Sequence, residues 1–101
     1  MFTLRIEHSV PDFDSWKQLF DSDPADRKGS GVRAYKVLRS AENPNLVMID
    51  LDFDSLSEAE GLLEKMKLIW AGPAKSIMQN PRAQIAETVE AIEINTAGEL
   101  L

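Results

Sequence analysis

The sequence predicts an α+β domain of βαββαβ order, with a four-stranded antiparallel sheet carrying both helices on one face. Three observations point to it. Two stretches alternate apolar and polar residues with the period of a strand. Two others carry apolar seams at helical spacing, each opened by a capping side chain. The 101 residues with 44% hydrophobic content supply one core and no more, so residues 1–94 are expected to form a single domain and 95–101 a tail.

Residues 2–8 alternate, with Phe2, Leu4, Ile6 and His8 on one side and Thr3, Arg5 and Glu7 on the other. Pro11 punctuates, Asp12 is an N-cap, and Phe13, Trp16 and Phe20, with Leu19 beside them, form one face of a short helix. The polar run 21–31, holding Pro24, Gly29 and Gly31, returns the chain to the sheet. Residues 32–39 have strand character, but their two sides are poorly sorted. After a turn at 42–45, residues 46–53 place Val47, Ile49, Leu51 and Phe53 on one side and Asp50 and Asp52 on the other. Because the period is two, the larger apolar set selects the core.

Ser55 followed by Glu58 predicts a capping box and a helix whose seam is Leu56, Ala59, Leu63, Met66 and Trp70, widened by Leu62 and Ile69 and ending near Gly72 and Pro73. A short helical piece is expected at 74–78. The Ile, Val and Thr content of 84–94 predicts the last strand there, after Asn80 and Pro81.

Net charge −6 offers no basic patch for nucleic acid or an anionic membrane, and no apolar run reaches the length of a membrane span. Arg5 and Glu7 interrupt the first ten residues, which therefore lack a signal-peptide core. The absence of cysteine removes disulfides, thiolate metal sites and a cysteine nucleophile, and makes the cytoplasm the expected compartment. One face of the sheet, with Arg5, Glu7, Met48, Asp50 and Asp52, is left without helices. A homodimer that covers it is expected, its charges pairing between subunits.

His8 is the single histidine and lies on the side expected to face the helices. It is a candidate general base, or else a structural histidine satisfied by a carbonyl or water. Trp16 and Trp70, with Phe20 and Met66, would wall a flat pocket for a small hydrophobic or aromatic ligand, or simply pack the core. Arg33 and Tyr35 would offer a cation and a phenol to an anionic oxygen if their side of the strand meets the helices. Asp50, Asp52 and Glu7 have no metal-ligand spacing and are better paired with Arg5. Arg27 and Arg39 are expected in surface or cap contacts. No metal site, nucleotide fingerprint or nucleophile elbow is present.

The segments PDFDSW at 11–16, DPADRKGSGVRAYKVLRS at 23–40, NPNLVMIDLDFDS at 43–55 and ETVE at 87–90 resemble the dimeric α/β-barrel superfamily, ferredoxin-like in fold. Within it they resemble small actinobacterial proteins of cyclase-like or uncharacterised kind. The resemblance implies two sheets paired face to face, and a ligand between sheet and helices. It admits cofactor-independent oxygenation of polyketide aromatics, aromatic cyclisation, lactone isomerisation and haem breakdown. Its haem-degrading members carry a histidine on the second helix, where this chain has none, so no cofactor is expected. A non-catalytic ligand-binding or assembly dimer is the alternative.

Overall fold

The computed structural model describes residues 1–72 and 78–94. In it β1 (Phe2–Ser9), α1 (Phe13–Asp21), β2 (Ala34–Arg39), β3 (Leu46–Phe53), α2 (Leu56–Ala71) and β4 (Gln79–Glu87) follow one another. The strands form one sheet in the order β2-β3-β1-β4, and each neighbouring pair is antiparallel. This is the ferredoxin-like arrangement that the alternation and the seams predict.

Register decides which side chains meet the helices. Leu4 lies opposite Leu51, Ile6 opposite Ile49 and His8 opposite Val47, and all six are buried. Thr3, Arg5 and Glu7 lie opposite Asp52, Asp50 and Met48 on the far face. The same rule resolves the poorly sorted strand. Tyr35 pairs with Leu51 and Val37 with Ile49, which puts them on the helix side with Arg39; Ala34, Lys36 and Leu38 face away.

Asp12 caps α1 by accepting from the Ser15 amide at 3.1 Å, and Trp16 is the one buried residue of this helix. At α2 the Ser55 hydroxyl accepts from the Glu58 amide at 3.2 Å and donates to the Glu58 carboxylate at 3.0 Å. The carboxylate thus meets the hydroxyl of the capping residue, a variation on the expected box. Ser55→Ala is expected to lower the unfolding free energy by about 1 kcal/mol in a denaturant titration, and Ser55→Asp to keep most of it. Ala59 and Leu62 are the buried positions of α2, with Met66, Ile69, Leu63 and Trp70 packed beside them. Leu56, expected in the seam, is 44% exposed at the first turn.

The last strand departs from its expected place. It occupies Gln79–Glu87 rather than 84–94, because it pairs with β1 from Ser9↔Gln79 to Phe2↔Glu87 and runs out of partner there. Thr88 adds one further amide bond, to the Met1 carbonyl at 2.9 Å. Asn80, with φ +52°, and Pro81 lie inside this strand rather than ahead of it. An edge position tolerates both, since the missing proline N–H need not serve a neighbour. Residues 88–94 continue outside the sheet and are exposed. The expected helical piece at 74–78 falls largely on residues outside those described, as does the tail 95–101.

Candidate functional site

Between the sheet and the two helices lies an apolar cavity of about 40 Å3. Ile6, Ile49 and Leu51 form its floor, Trp16 and Phe20 of α1 one wall, and Leu62, Met66 and Ile69 of α2 the other. The loop between α1 and β2 closes it with Pro24, Ala25 and Arg27. That loop is held by its own geometry. Asp23 and Asp26 adopt left-handed backbone angles, Ser30 donates to the Ala25 carbonyl at 2.8 Å, and Lys65 of α2 reaches Ser30 at 2.7 Å. Gly31, at φ +96°, sits where a Cβ would press on the Glu58 carboxylate.

His8 stands at the sheet end of this core, 1% exposed, with its ring centroid 5.2 Å from that of Trp16. It does not line the cavity; the indole stands beside it. Neither ring nitrogen has a hydrogen-bond partner among the described residues. Burial away from water disfavours the imidazolium and pushes the pKa down to about 4. At neutral pH His8 is therefore an uncharged ring, placed where the strand pairing with β4 shifts register between Glu7 and Ser9.

The other expected site residues divide into groups. Trp16, Phe20 and Met66 line the cavity together. Trp70 packs against the core but does not line the cavity, and its indole N–H is buried without a partner among the described residues. Tyr35 stands on the helix side of β2, half exposed, with its ring edge-on to Phe20 at 5.4 Å. Arg33 lies at the surface and pairs with Asp54 at 2.8 Å. Neither of these two reaches the cavity.

Arg27 is the residue that sequence reasoning passed over. Expected at the surface, its side chain is 16% exposed. The guanidinium lies 4.0 Å over the Phe20 ring and 4.9 Å from the Tyr35 ring, and it donates to the Phe20 carbonyl at 2.7 Å. Asp23 accompanies it at 3.5 Å. Among the described residues it is the one charged side chain lining the cavity. The only sequence signal was a basic pair, Arg27 and Lys28, in an otherwise acidic chain.

No protein-family model matches the chain, and no curated protein does. Solved structures do. SnoaB, a cofactor-independent oxygenase from Streptomyces nogalater, aligns with a TM-score of 0.69 at 11% identity, covering 90% of this chain and 95% of its own. A variant of MhuD with two manganese protoporphyrin IX bound per active site aligns at 0.70 and 11% identity, covering 92% and 99%. A proposed antibiotic biosynthesis monooxygenase from Nitrosomonas europaea aligns at 0.62 and 17% identity, covering 89% and 100%. All share this fold. Sequence identity this low carries the architecture over whole chains and leaves the chemistry to be argued from the residues.

On the helix-free face, Arg5 grips Asp50 through two bonds of 2.9 and 3.0 Å, and Thr3 donates to Asp52 at 2.7 Å. The hydrogen bond from Arg5 holds the Asp50 carboxyl below its ordinary range. Asp50 is thus already paired within its own chain. Among the described residues no three acidic or histidine side chains converge as a metal site would require, and no helix is long and apolar enough to cross a membrane.

Proposed function

We propose that residues 1–94 form one cytoplasmic, homodimeric domain that binds a planar aromatic, polyketide-like molecule between sheet and helices and oxygenates it without a cofactor. The observation that carries this reading is the apolar cavity walled by Trp16 and Phe20 and bordered by one cation, Arg27. Flat aromatic walls favour a flat ligand, and one charged group fixes its orientation. SnoaB, which has the same fold, is a cofactor-independent oxygenase. Such chemistry draws its electrons from the substrate. A ring methylene acidified by neighbouring carbonyl and phenol groups loses a proton, and the resulting enolate passes electrons to dioxygen. A carbon–oxygen bond forms at that carbon and the oxygen–oxygen bond breaks. The methylene, having lost both hydrogens, becomes a carbonyl, and the second oxygen atom leaves with those two hydrogens as water. The protein must hold the enolate oxygen, a task for Arg27 at the cavity edge; His8 is sealed outside the cavity, so the proton leaves to solvent.

A porphyrin does not fit these residues. The one imidazole of the chain is sealed beside Trp16 and the cavity is about 40 Å3. That volume is also far below the roughly 300–1,000 Å3 of small-molecule pockets. Binding therefore requires the loop carrying Pro24, Ala25 and Arg27 to move outward, with the pliable Met66 and Met78 repacking around the ligand. The small volume favours a second reading, a non-catalytic dimer that binds a hydrophobic ligand by opening in this way.

Support for the dimer comes from surface that the described residues leave uncovered. Val89, Ile92 and Ile94 are 94%, 71% and 80% exposed beyond the end of β4, and the helix-free face adds the half-exposed Leu38 and Met48. Native mass spectrometry is expected to give twice the 11.3 kDa chain mass plus an aromatic adduct. Oxygen uptake with anthrone as substrate then separates the two readings: consumption with anthraquinone formed assigns the oxygenase, and binding without uptake assigns the carrier. A bare monomer would remove the dimer and leave the cavity of the single chain to be judged by ligand binding alone.

A further inference from the structure

Arg27 borders two spaces at once. On its inner side is the apolar cavity; on its outer side is a surface depression of about 430 Å3 lined by Asp23, Arg27, Lys28, Arg33 and Tyr35. Three cations gather there in a chain whose net charge is −6. Two have anionic company, Asp23 for Arg27 and Asp54 for Arg33, while Lys28 has no ion pair among the described residues. The Arg27 guanidinium spends one N–H on the Phe20 carbonyl and meets Asp23 only at 3.5 Å, so donors remain for a further acceptor. With the loop closed, the guanidinium lies over the Phe20 and Tyr35 rings.

We infer that the ligand is an aromatic acid, with its ring system in the cavity beside Trp16 and Phe20 and its anionic oxygen on Arg27, facing the basic depression of Lys28 and Arg33. This rests on the reading that the cavity opens to take a ligand. A neutral hydrocarbon of the same shape would leave the guanidinium covered and unpaired on one side, whereas a carboxylate or phenolate gains a charge-assisted hydrogen bond in a largely dry setting. Arg33 and Tyr35, which do not reach the cavity, thereby acquire a place at its outer rim. The loop that carries Arg27 supplies selectivity for charge, and the helices supply selectivity for shape.

The test compares two probes of one shape, 2-naphthoate and 2-naphthalenemethanol, by isothermal titration calorimetry on the full chain at pH 7. The wild type is expected to bind the carboxylate at least about ten-fold more tightly than the alcohol. Arg27→Gln should bring the two affinities together by weakening naphthoate alone, Arg27→Lys should keep part of the preference, and Lys28→Gln should reduce it less than Arg27→Gln does. Equal binding of both probes to the wild type overturns the assignment to Arg27 and leaves the aromatic pocket standing. Binding of neither overturns the pocket itself and this inference with it. The wild-type comparison decides the matter even if Arg27→Gln fails to fold.

Discussion

Trp16→Ala is expected to destabilise the protein by about 3–5 kcal/mol, because it removes a large buried ring from a site that cannot collapse around the gap. The reason lies in how α1 is attached. This helix is nine residues long with one buried side chain, Trp16, at 2% exposure. That indole touches three rings at once, with centroids 5.2 Å from His8, 5.7 Å from Phe13 and 5.2 Å from Phe20. A helix so short has little intrinsic stability and depends on its docked face. Denaturant unfolding followed by circular dichroism measures the loss, and Trp16→Phe should recover about half of it by restoring an aromatic contact without the full volume. A loss below about 1.5 kcal/mol in Trp16→Ala would mean that α1 is held to the sheet by something other than this ring. The same substitution enlarges the cavity, so a planar ligand should bind the alanine variant with altered rather than abolished affinity if the space beside Trp16 is the site.

What the residues revealed in advance, and what they concealed, follows the range of the interactions involved. Val47, Ile49, Leu51 and Phe53 announced their strand because a half-buried strand must alternate, and all four are buried. Helical spacing put Trp16, Phe20, Met66 and Trp70 on apolar seams without telling pocket wall from core, and the first three border the cavity while Trp70 does not. The last strand lies at 79–87 rather than 84–94 because its own sequence, QNPRAQIAE, is that of an exposed edge, while the β-rich pattern of Val89, Ile92 and Ile94 lies on surface that the described residues leave exposed. Propensity marked residues suited to a sheet, but the length of β1 fixed where pairing stops. Arg27 was illegible for a related reason. Its burial depends on a loop folding back over Phe20 and Tyr35, residues that precede and follow it by seven and eight positions, and no local pattern encodes that return.

His8 yields the other large effect, a loss of about 3 kcal/mol of unfolding free energy between pH 7 and pH 4. In the unfolded chain its pKa is the ordinary 6.5; in the folded chain burial lowers it to about 4. Between those values the unfolded state binds the proton and the folded state refuses it, so protonation drains stability as pH falls. The contribution is fully present above about pH 6.5, declines below it and is exhausted below pH 4. Asp12 and Asp50 have carboxyl groups lowered from 3.8, chiefly by side-chain hydrogen bonds from Ser15 and Arg5. Their contributions are lost at still lower pH and do not mimic the His8 window. Urea titrations at half-unit intervals from pH 7 to pH 4 measure the slope. His8→Leu should flatten it, and should leave stability at pH 7 close to wild type, since it removes two buried nitrogens that have no partner among the described residues. A slope unchanged in His8→Leu would place the titrating group elsewhere. Trp16→Ala supplies the coupled check: opening the ring stack to water should let the folded-state His8 pKa climb back toward 6.5 and shrink the acid loss, an effect that nuclear magnetic resonance titration of the single imidazole reads directly.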